Sequence, residues 1–199
     1  RLRNATYDGF RLTYNGYDYL ALKSMLNRNT LYSVGSTIGV GKESDIYSVS
    51  DPQGVQKVLK IHRLGRTSFK TVKNNRDYLK NRHTSNWMYL SRLAAAKEYQ
   101  FMQILYDNGF NVPQPFDYSR HCVMMEWIKG IPMKQLNTGN IGKLDYKKLY
   151  SDLMCFIVKL AKSGLIHCDF NEFNIIIRDP SESNKTSDFV VIDFPQCVS

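Results

Sequence analysis

The stretch Leu165 to Asn174, L-I-H-C-D-F-N-E-F-N, followed by V-V-I-D-F at Val190 to Phe194, constrains this chain more than any other part of it. An apolar run leads into His167 and Asp169, Asn174 follows, and a second apolar run ends on Asp193. The pattern suits phosphoryl transfer. Asp169 is placed to accept a proton, while Asn174 and Asp193 offer the hard oxygens that Mg²⁺ takes when it binds through few protein groups and the phosphates of a nucleotide. Each residue alone has an ordinary reading, Asp and Asn as turn formers and His167 as a hydrogen-bonded packing residue. Their combination is much rarer by chance, and it requires a phosphate loop, a lysine and an acidic partner elsewhere.

Tyr32 to Lys60 supplies the first two. One extended run through Val34, Thr37 and Ile38 leads to Gly39-Val40-Gly41-Lys42-Glu43-Ser44-Asp45-Ile46-Tyr47. A second run to Val49, a turn at Asp51-Pro52-Gln53-Gly54 and a third run from Val55 to Ile61 complete three strands. Gly39 and Gly41 let the backbone approach phosphates, since a Cβ would force the chain away. Ser44 stands where a third glycine of such a loop would be, with a hydroxyl that can donate to a phosphate oxygen, and Lys42 lies in the same loop. Lys60 sits between strand apolars in V-L-K-I, where a cation would meet the α- and β-phosphates. The helix expected over Asn86 to Tyr106 has Leu90, Leu93, Ala94, Met102 and Leu105 inward and stops at Asn108-Gly109. Glu98 is its one carboxylate, so a Lys60 to Glu98 pair is expected.

The strand expected over His121 to Ile128 ends in M-E-W-I before a glycine turn at Lys129-Gly130. That is where backbone groups would meet adenine, with Met125 at the inner gate. A second helix, Tyr146 to Ala161, would turn Leu149, Leu153, Phe156, Ile157 and Leu160 inward, and strands at 175–177 and 189–192 would bring Asn174 and Asp193 to one edge. At the other end of the chain, Arg3 to Thr13 reads as a hairpin around Asp8-Gly9. A helix follows, capped by Thr13 or Asn15, with Leu20, Met25 and Leu26 on one side. This is either the wing and last helix of a winged-helix domain or a plain hairpin and helix.

The formal charge of +9 is concentrated: residues 57–97 hold eleven Lys and Arg against one acid, Asp77. Regular cations interleaved with Phe69 and Tyr78 suit a phosphodiester backbone, and a solvated linker is the alternative. No apolar run approaches the ~18 residues of a membrane span. Cys122, Cys155, Cys168 and Cys197 form no C-x-x-C pair, which points to a reducing compartment. A start at Arg1 and a stop shortly after Asp193 are read as those of a piece of a longer protein.

Taken together, I-G-V-G-K-E-S-D-I-Y, K-I-H-R-L-G-R-T-S-F, S-R-L-A-A-A-K-E-Y, H-C-D-F-N-E-F-N and V-I-D-F-P-Q resemble the RIO-type atypical protein kinases, in their RIO kinase 2 branch. The resemblance covers essentially the whole chain. It implies an α+β, bilobal protein-kinase-like fold: the end of a winged-helix domain at 1–30, an N-lobe of sheet plus helix at 31–128 with a basic insertion at 62–85, and a mainly helical C-lobe at 129–199. It implies ATP and Mg²⁺ as cofactors and a serine/threonine kinase or ATPase activity. Carried over residue by residue, it makes Lys60, Asp169 and Asp193 the catalytic set, with Asn174 and Asp193 as metal ligands. Gly39, Gly41, Lys42, Ser44, Lys60, Glu98, Met125, Glu126 and Ile128 become nucleotide contacts. It also implies work in small ribosomal subunit maturation, bound to the precursor particle with RNA contact through residues 57–97, in the cytoplasm with passage through the nucleus as an option and without a membrane. Two departures from ordinary protein kinases stand out: Asn171 where those have lysine, and Pro195 where D-F-G has glycine, which fixes φ. Because RIO kinases lack the activation loop and peptide-docking helices of ordinary kinases, the resemblance leaves three uses of ATP open: a hydrolytic switch, phosphorylation of an external protein, or a structural ligand of a scaffold. Asp193 has two candidate roles, acceptor of the phosphoryl group and metal ligand, of which metal binding is the simpler.

Overall fold

Residues 2–3, 8–10, 12–64, 86–136, 144–179 and 188–198 are described by the computed structural model. Alternation of side chains along a strand decides which residues meet which partner. Strands β1 (Leu2–Arg3) and β2 (Asp8–Gly9) form a hairpin, and helix α1 (Tyr14–Asn27) follows, its N-cap Thr13 hydroxyl accepting from Gly16 N. Strands β3 (Ser33–Val40), β4 (Ser44–Ser50) and β5 (Gln56–His62) run antiparallel into helix α2 (Trp87–Asp107). Strands β6 (Pro115–Ser119) and β7 (Cys122–Glu126) complete a five-stranded sheet ordered β3-β4-β5-β7-β6.

That sheet is covered on both sides. Leu59 and Ile61 of β5, with Cys122 and Met124 of β7, join Ala21 and Met25 of α1 in one core cluster. The alternate β7 residues Val123 and Met125 pack with Ala95, Met102 and Leu105 of α2. Strand β5 is therefore buried along both faces, and Lys60 and His62 are buried with it. The turn into β5 is held by the Asp51 carboxylate, which accepts from Gln53 N and Val55 N at 2.9 Å each, with Gly54 at φ 80°.

The C-terminal part adds β8 (Gly130–Pro132), a 3₁₀ turn (Met133–Gln135), helix α3 (Tyr146–Lys162), β9 (Ile175–Arg178) and β10 (Phe189–Val191). A second sheet is ordered β10-β9-β8. Phe156 of α3 meets Phe110 edge to face at 5.7 Å and Phe189 at 5.9 Å, so α3, the second sheet and the end of α2 share one core.

Four local expectations need correction. Asp8-Gly9 is not the hairpin turn: Leu2 pairs with Gly9 and Arg3 with Asp8, so both residues belong to a paired strand, and residues 4–7 lie outside the described residues. A turn-favouring dipeptide is a local signal, whereas register is set by the cross-strand partner. Gly130 is not in a turn but begins β8 opposite Arg178, and a Cβ there would collide with the Ile177 carbonyl oxygen. Its glycine answers to close backbone approach. Leu26 is 45% exposed and Ile157 38% exposed, because α1 buries only Ala21 and Met25 and α3 only Leu149, Phe156 and Leu160. Among the described residues no helix is long and apolar enough to cross a membrane.

Candidate active site

A cleft of about 480 Å³ lies between the two sheets. Ile38, Ser44, Ile46, Val58 and Met125 line it from the first sheet, and Ile176, Ile192 and Asp193 from the strand pair below. Lys60 lines it as well. Its ammonium is 2.7 Å from Glu98 Oε1 and 2.9 Å from Asp193 Oδ1, so the lysine ties α2 to the end of β10. The expected pair with Glu98 is therefore present, joined by a partner that spacing did not suggest. Burial by itself would lower the Lys60 ammonium, but the two carboxylates outweigh it and hold the group above its ordinary range.

Glu98 is 1% exposed and its second oxygen lies 2.7 Å from His62 Nε2. Burial would raise this carboxyl; Lys60 and His62 reverse the effect and hold it at about 2. A carboxylate only accepts, so His62 Nε2 carries the proton of that bond. His62 was not singled out from the sequence. Its signal is the strand period: residues two apart on β5 share a face, so His62 stands on the same side of the strand as Lys60.

The catalytic loop is built on hydrogen bonds from amides. Asp169 Oδ1 accepts from Asn171 Nδ2 at 2.8 Å, and Oδ2 accepts from Asn174 Nδ2 at 3.0 Å and Gln196 Nε2 at 3.4 Å. Asn174 Nδ2 also donates to the Asp169 carbonyl at 2.9 Å, which orients the carboxamide and leaves its oxygen for another partner. Gln196 is a further contributor that sequence reasoning passed over. His167 Nε2 donates to the Ile192 carbonyl at 3.1 Å, and Nδ1 accepts from Asp169 N at 3.3 Å. Burial lowers its pKa, in keeping with the neutral tautomer those bonds require, so His167 braces the loop.

Asn174 and Asp193 meet at one end of the β9–β10 pair, where Ile192 N donates to the Asn174 carbonyl at 2.9 Å. Asp193 takes φ 71°, a left-handed conformation that Asp tolerates better than most residues. Phe194 behind it is fully buried and meets His167 at 5.2 Å. The two residues offer hard oxygens from converging segments, a donor set that fits Mg²⁺ rather than a soft metal.

Of the nucleotide contacts expected from the sequence, Ser44, Lys60, Glu98, Met125, Glu126 and Ile128 line the cleft, with Trp127 added between the last two. Gly39 at the end of β3 and Gly41 and Lys42 on the loop that follows adjoin the cleft but are not among its lining residues. A Cβ on Gly39 would meet nothing within 4 Å, while one on Gly41 would stand 3.2 Å from the Ser44 carbonyl oxygen, so the tight turn constrains Gly41 alone. Of the eleven cations in 57–97, Lys57 is paired with Asp51 at 2.8 Å, Lys60 is in the cleft, and Arg63 is held by Asp18 and Asp45. These three face inward. Residues 65–85 lie outside the described residues.

Comparison with known proteins agrees with this geometry. Residues 45–199 match the family model of the RIO domain, and residues 1–28 that of the Rio2 N-terminal region. The chain belongs to the RIO kinase family, in its Rio2 branch. It is 67% identical to the serine/threonine-protein kinase RIO2 of Saccharomyces cerevisiae, over 100% of this chain and 46% of that protein. It is 35% identical to the RIO-type serine/threonine-protein kinase Rio2 of Methanocaldococcus jannaschii, over 98% and 69% respectively. The crystal structure of the Rio2 kinase–ADP/Mg²⁺–phosphoaspartate complex from Chaetomium thermophilum superposes with a TM-score of 0.82 at 56% identity, covering 100% of this chain and 58% of that one. The α+β RIO kinase fold is thereby established, with the N-terminal domain covered only in part. The chain spans about half the length of the first two curated RIO2 relatives it matches.

Proposed function

We propose that the cleft binds Mg²⁺-ATP and that this chain contains the nucleotide-binding half of a RIO2-type kinase and ATPase. The observation that carries the reading is the cluster Lys60–Glu98–Asp193, a buried cation held in the cleft by two carboxylates, together with an amide-braced Asp169. Lys60 would neutralise phosphate oxygens. Met125, Glu126 and Ile128 would seat the base, and Asp169 would hold a proton or orient the attacking group. The Asn174 carboxamide oxygen and the Asp193 carboxylate would hold Mg²⁺, which when bound supplies positive charge to the phosphate oxygens.

Asp193 is also the carboxylate we assign as phosphoryl acceptor. Glu98 is buried, and both oxygens of Asp169 are engaged by amides, whereas the Asp193 side chain is 37% exposed in the cleft. In that step an Asp193 oxygen forms a bond to the γ-phosphorus, the bond to the bridging oxygen breaks, and ADP leaves with the electron pair; water later cleaves the acyl phosphate. The phosphoaspartate of the Chaetomium thermophilum complex supports this reading.

The larger setting we propose is maturation of the small ribosomal subunit, with ATP turnover switching attachment to the precursor particle in the cytoplasm. The concentration of Lys and Arg in residues 57–97 supports contact with RNA. A second reading, a scaffold that holds ATP without turning it over, has one observation in its favour: Lys60 occupies an Asp193 oxygen. A single-turnover experiment with γ-labelled ATP and Mg²⁺ on wild type, Asp169→Ala and Asp193→Asn separates them. Hydroxylamine-labile label on wild type, absent from Asp193→Asn, with phosphate release lost in both variants, is expected. Bound ATP recovered intact would select the scaffold, and stable label on serine would restore ordinary protein phosphorylation.

A further inference from the structure

Helix α1 lies outside the cleft, yet it is wired to the phosphate loop through one residue. Asp18, in the middle of α1, accepts from Arg63 Nη1 at 2.7 Å and Nη2 at 2.6 Å, and from His121 Nε2 at 2.7 Å. Arg63 follows directly after β5. On its other side its Nε donates to Asp45 Oδ2 at 3.2 Å, and its backbone N–H donates to the Glu43 carbonyl at 2.6 Å. Glu43 and Asp45 flank Ser44, which begins β4 at the end of the phosphate loop and lines the cleft. Both neighbours of Ser44 are thus tied to Arg63, and Arg63 is tied to α1.

The arrangement suits transmission. The guanidinium is a rigid planar fork, so an Asp18 displaced along α1 carries the Nε edge, and Asp45 with it. Strand alternation turns Ser44 and Ile46 to the cleft and Asp45 away from it, toward α1. The network is largely shielded: the side chains of Arg63, Asp18 and Asp45 are 14%, 15% and 8% exposed. Burial would raise the Asp18 carboxyl, but His121 and Arg63 hold it at about 2, so it stays ionised wherever the protein is folded near neutrality. A second contact points the same way. Trp87, the first residue of α2, meets Tyr14 at 4.2 Å and Tyr17 at 6.4 Å, so α1 also touches the helix that carries Glu98.

We propose that Asp18 and Arg63 are positioning residues for the nucleotide: through Asp45 and Glu43 they set the phosphate loop, so the placement of helix α1 tunes affinity for Mg²⁺-ATP. The proposal rests on the nucleotide reading above and adds a control point in the N-terminal region. Arg63→Ala would leave Asp18 and Asp45 facing each other without their cation and endanger folding, so gentler changes are preferable. Asp18→Asn keeps shape and removes charge, Asp45→Asn does so at the loop end, and Arg28→Ala is the control. Arg28 pairs with Asp117 at 2.9 Å and so attaches α1 to β6 without touching the loop.

The experiment measures Mg²⁺-ATP affinity by titration, and the single-turnover rate at saturating ATP, in the intact protein. Asp18→Asn and Asp45→Asn should each weaken affinity about five- to tenfold while the saturated rate stays within about twofold. The double variant should be no weaker than Asp45→Asn alone, because both act through Arg63. Arg28→Ala should bind as wild type does. Unchanged affinity in Asp18→Asn, full additivity in the double variant, or an equal loss in Arg28→Ala would overturn the proposal. A wild-type protein with no Mg²⁺-ATP affinity would overturn the nucleotide reading, and this proposal with it, before any variant is compared.

Discussion

Replacing Glu98 by Gln tests the centre of the site without changing its volume. Glu98 is 1% exposed and satisfies two donors, Lys60 Nζ and His62 Nε2, each at 2.7 Å. A glutamine has one acceptor oxygen, so one donor loses its partner and the amide NH₂ is turned against it. An unsatisfied buried polar group costs about 1–3 kcal/mol, and removing one member of a buried ion pair about 3–5 kcal/mol. Lys60 keeps Asp193 at 2.9 Å, which offsets part of that. The pKa gives a second route to the size: a fall from 4.5 to about 2 corresponds to ~3 kcal/mol. Both routes lead to a loss of about 3 kcal/mol near neutral pH, or roughly 6–12 °C in Tm for a chain of this size.

The pH dependence has a definite sign. The folded-state pKa of Glu98 is depressed, so its contribution is fully present above 4.5 and is lost as the pH falls toward about 2. Urea titrations of wild type and Glu98→Gln between neutrality and acid should therefore show curves that converge as the pH drops through that window. A difference under about 0.5 kcal/mol at neutral pH, or one that persists unchanged into acid, would refute the reasoning, since exposed substitutions already give that much.

Asp169→Asn should lower the single-turnover rate about 10²- to 10⁴-fold with Mg²⁺-ATP affinity retained, because Asp169 receives amides from Asn171, Asn174 and Gln196 and does not line the cleft. Gly130→Ala should lower stability by about 1–3 kcal/mol in urea, since its Cβ meets the Ile177 carbonyl across the β8–β9 pair. In alkylation followed by mass spectrometry, Cys155 and Cys168 should label while Cys122 and Cys197 do not. The latter two are buried, which pushes both thiols up, Cys197 to about 12.

The chemistry of the site was legible because it is written in residue types at short range. His167, Asp169 and Asn174 share one loop, Lys60 sits between strand apolars, and Glu98 is the one carboxylate inside a strongly periodic helix, whose other acid, Asp107, is its last residue. The same helix ended where Asn108 and Gly109 stop it, with Gly109 at φ 68°. Local preference and tertiary demand agree at such places, and there a sequence speaks clearly.

What stayed hidden were relations between distant segments. No spacing rule pairs Lys60 with Asp193, 133 residues away. That contact exists because the first sheet and the β9–β10 pair close on one cleft. Arg63 read as one cation of a basic run, but packing α1 against β5 and β7 brought Asp18 to it and turned it inward. Gly130 read as a turn because a glycine after a strand is locally a breaker; only the approach of the Ile177 carbonyl explains it. The sequence by itself determined which chemical groups were available and which secondary elements would carry them, since propensity, capping and apolar period are properties of neighbours along the chain. The tertiary structure alone decided which charges meet and which face water, because burial turns a formal charge into either a solvated cation or a fixed ion pair.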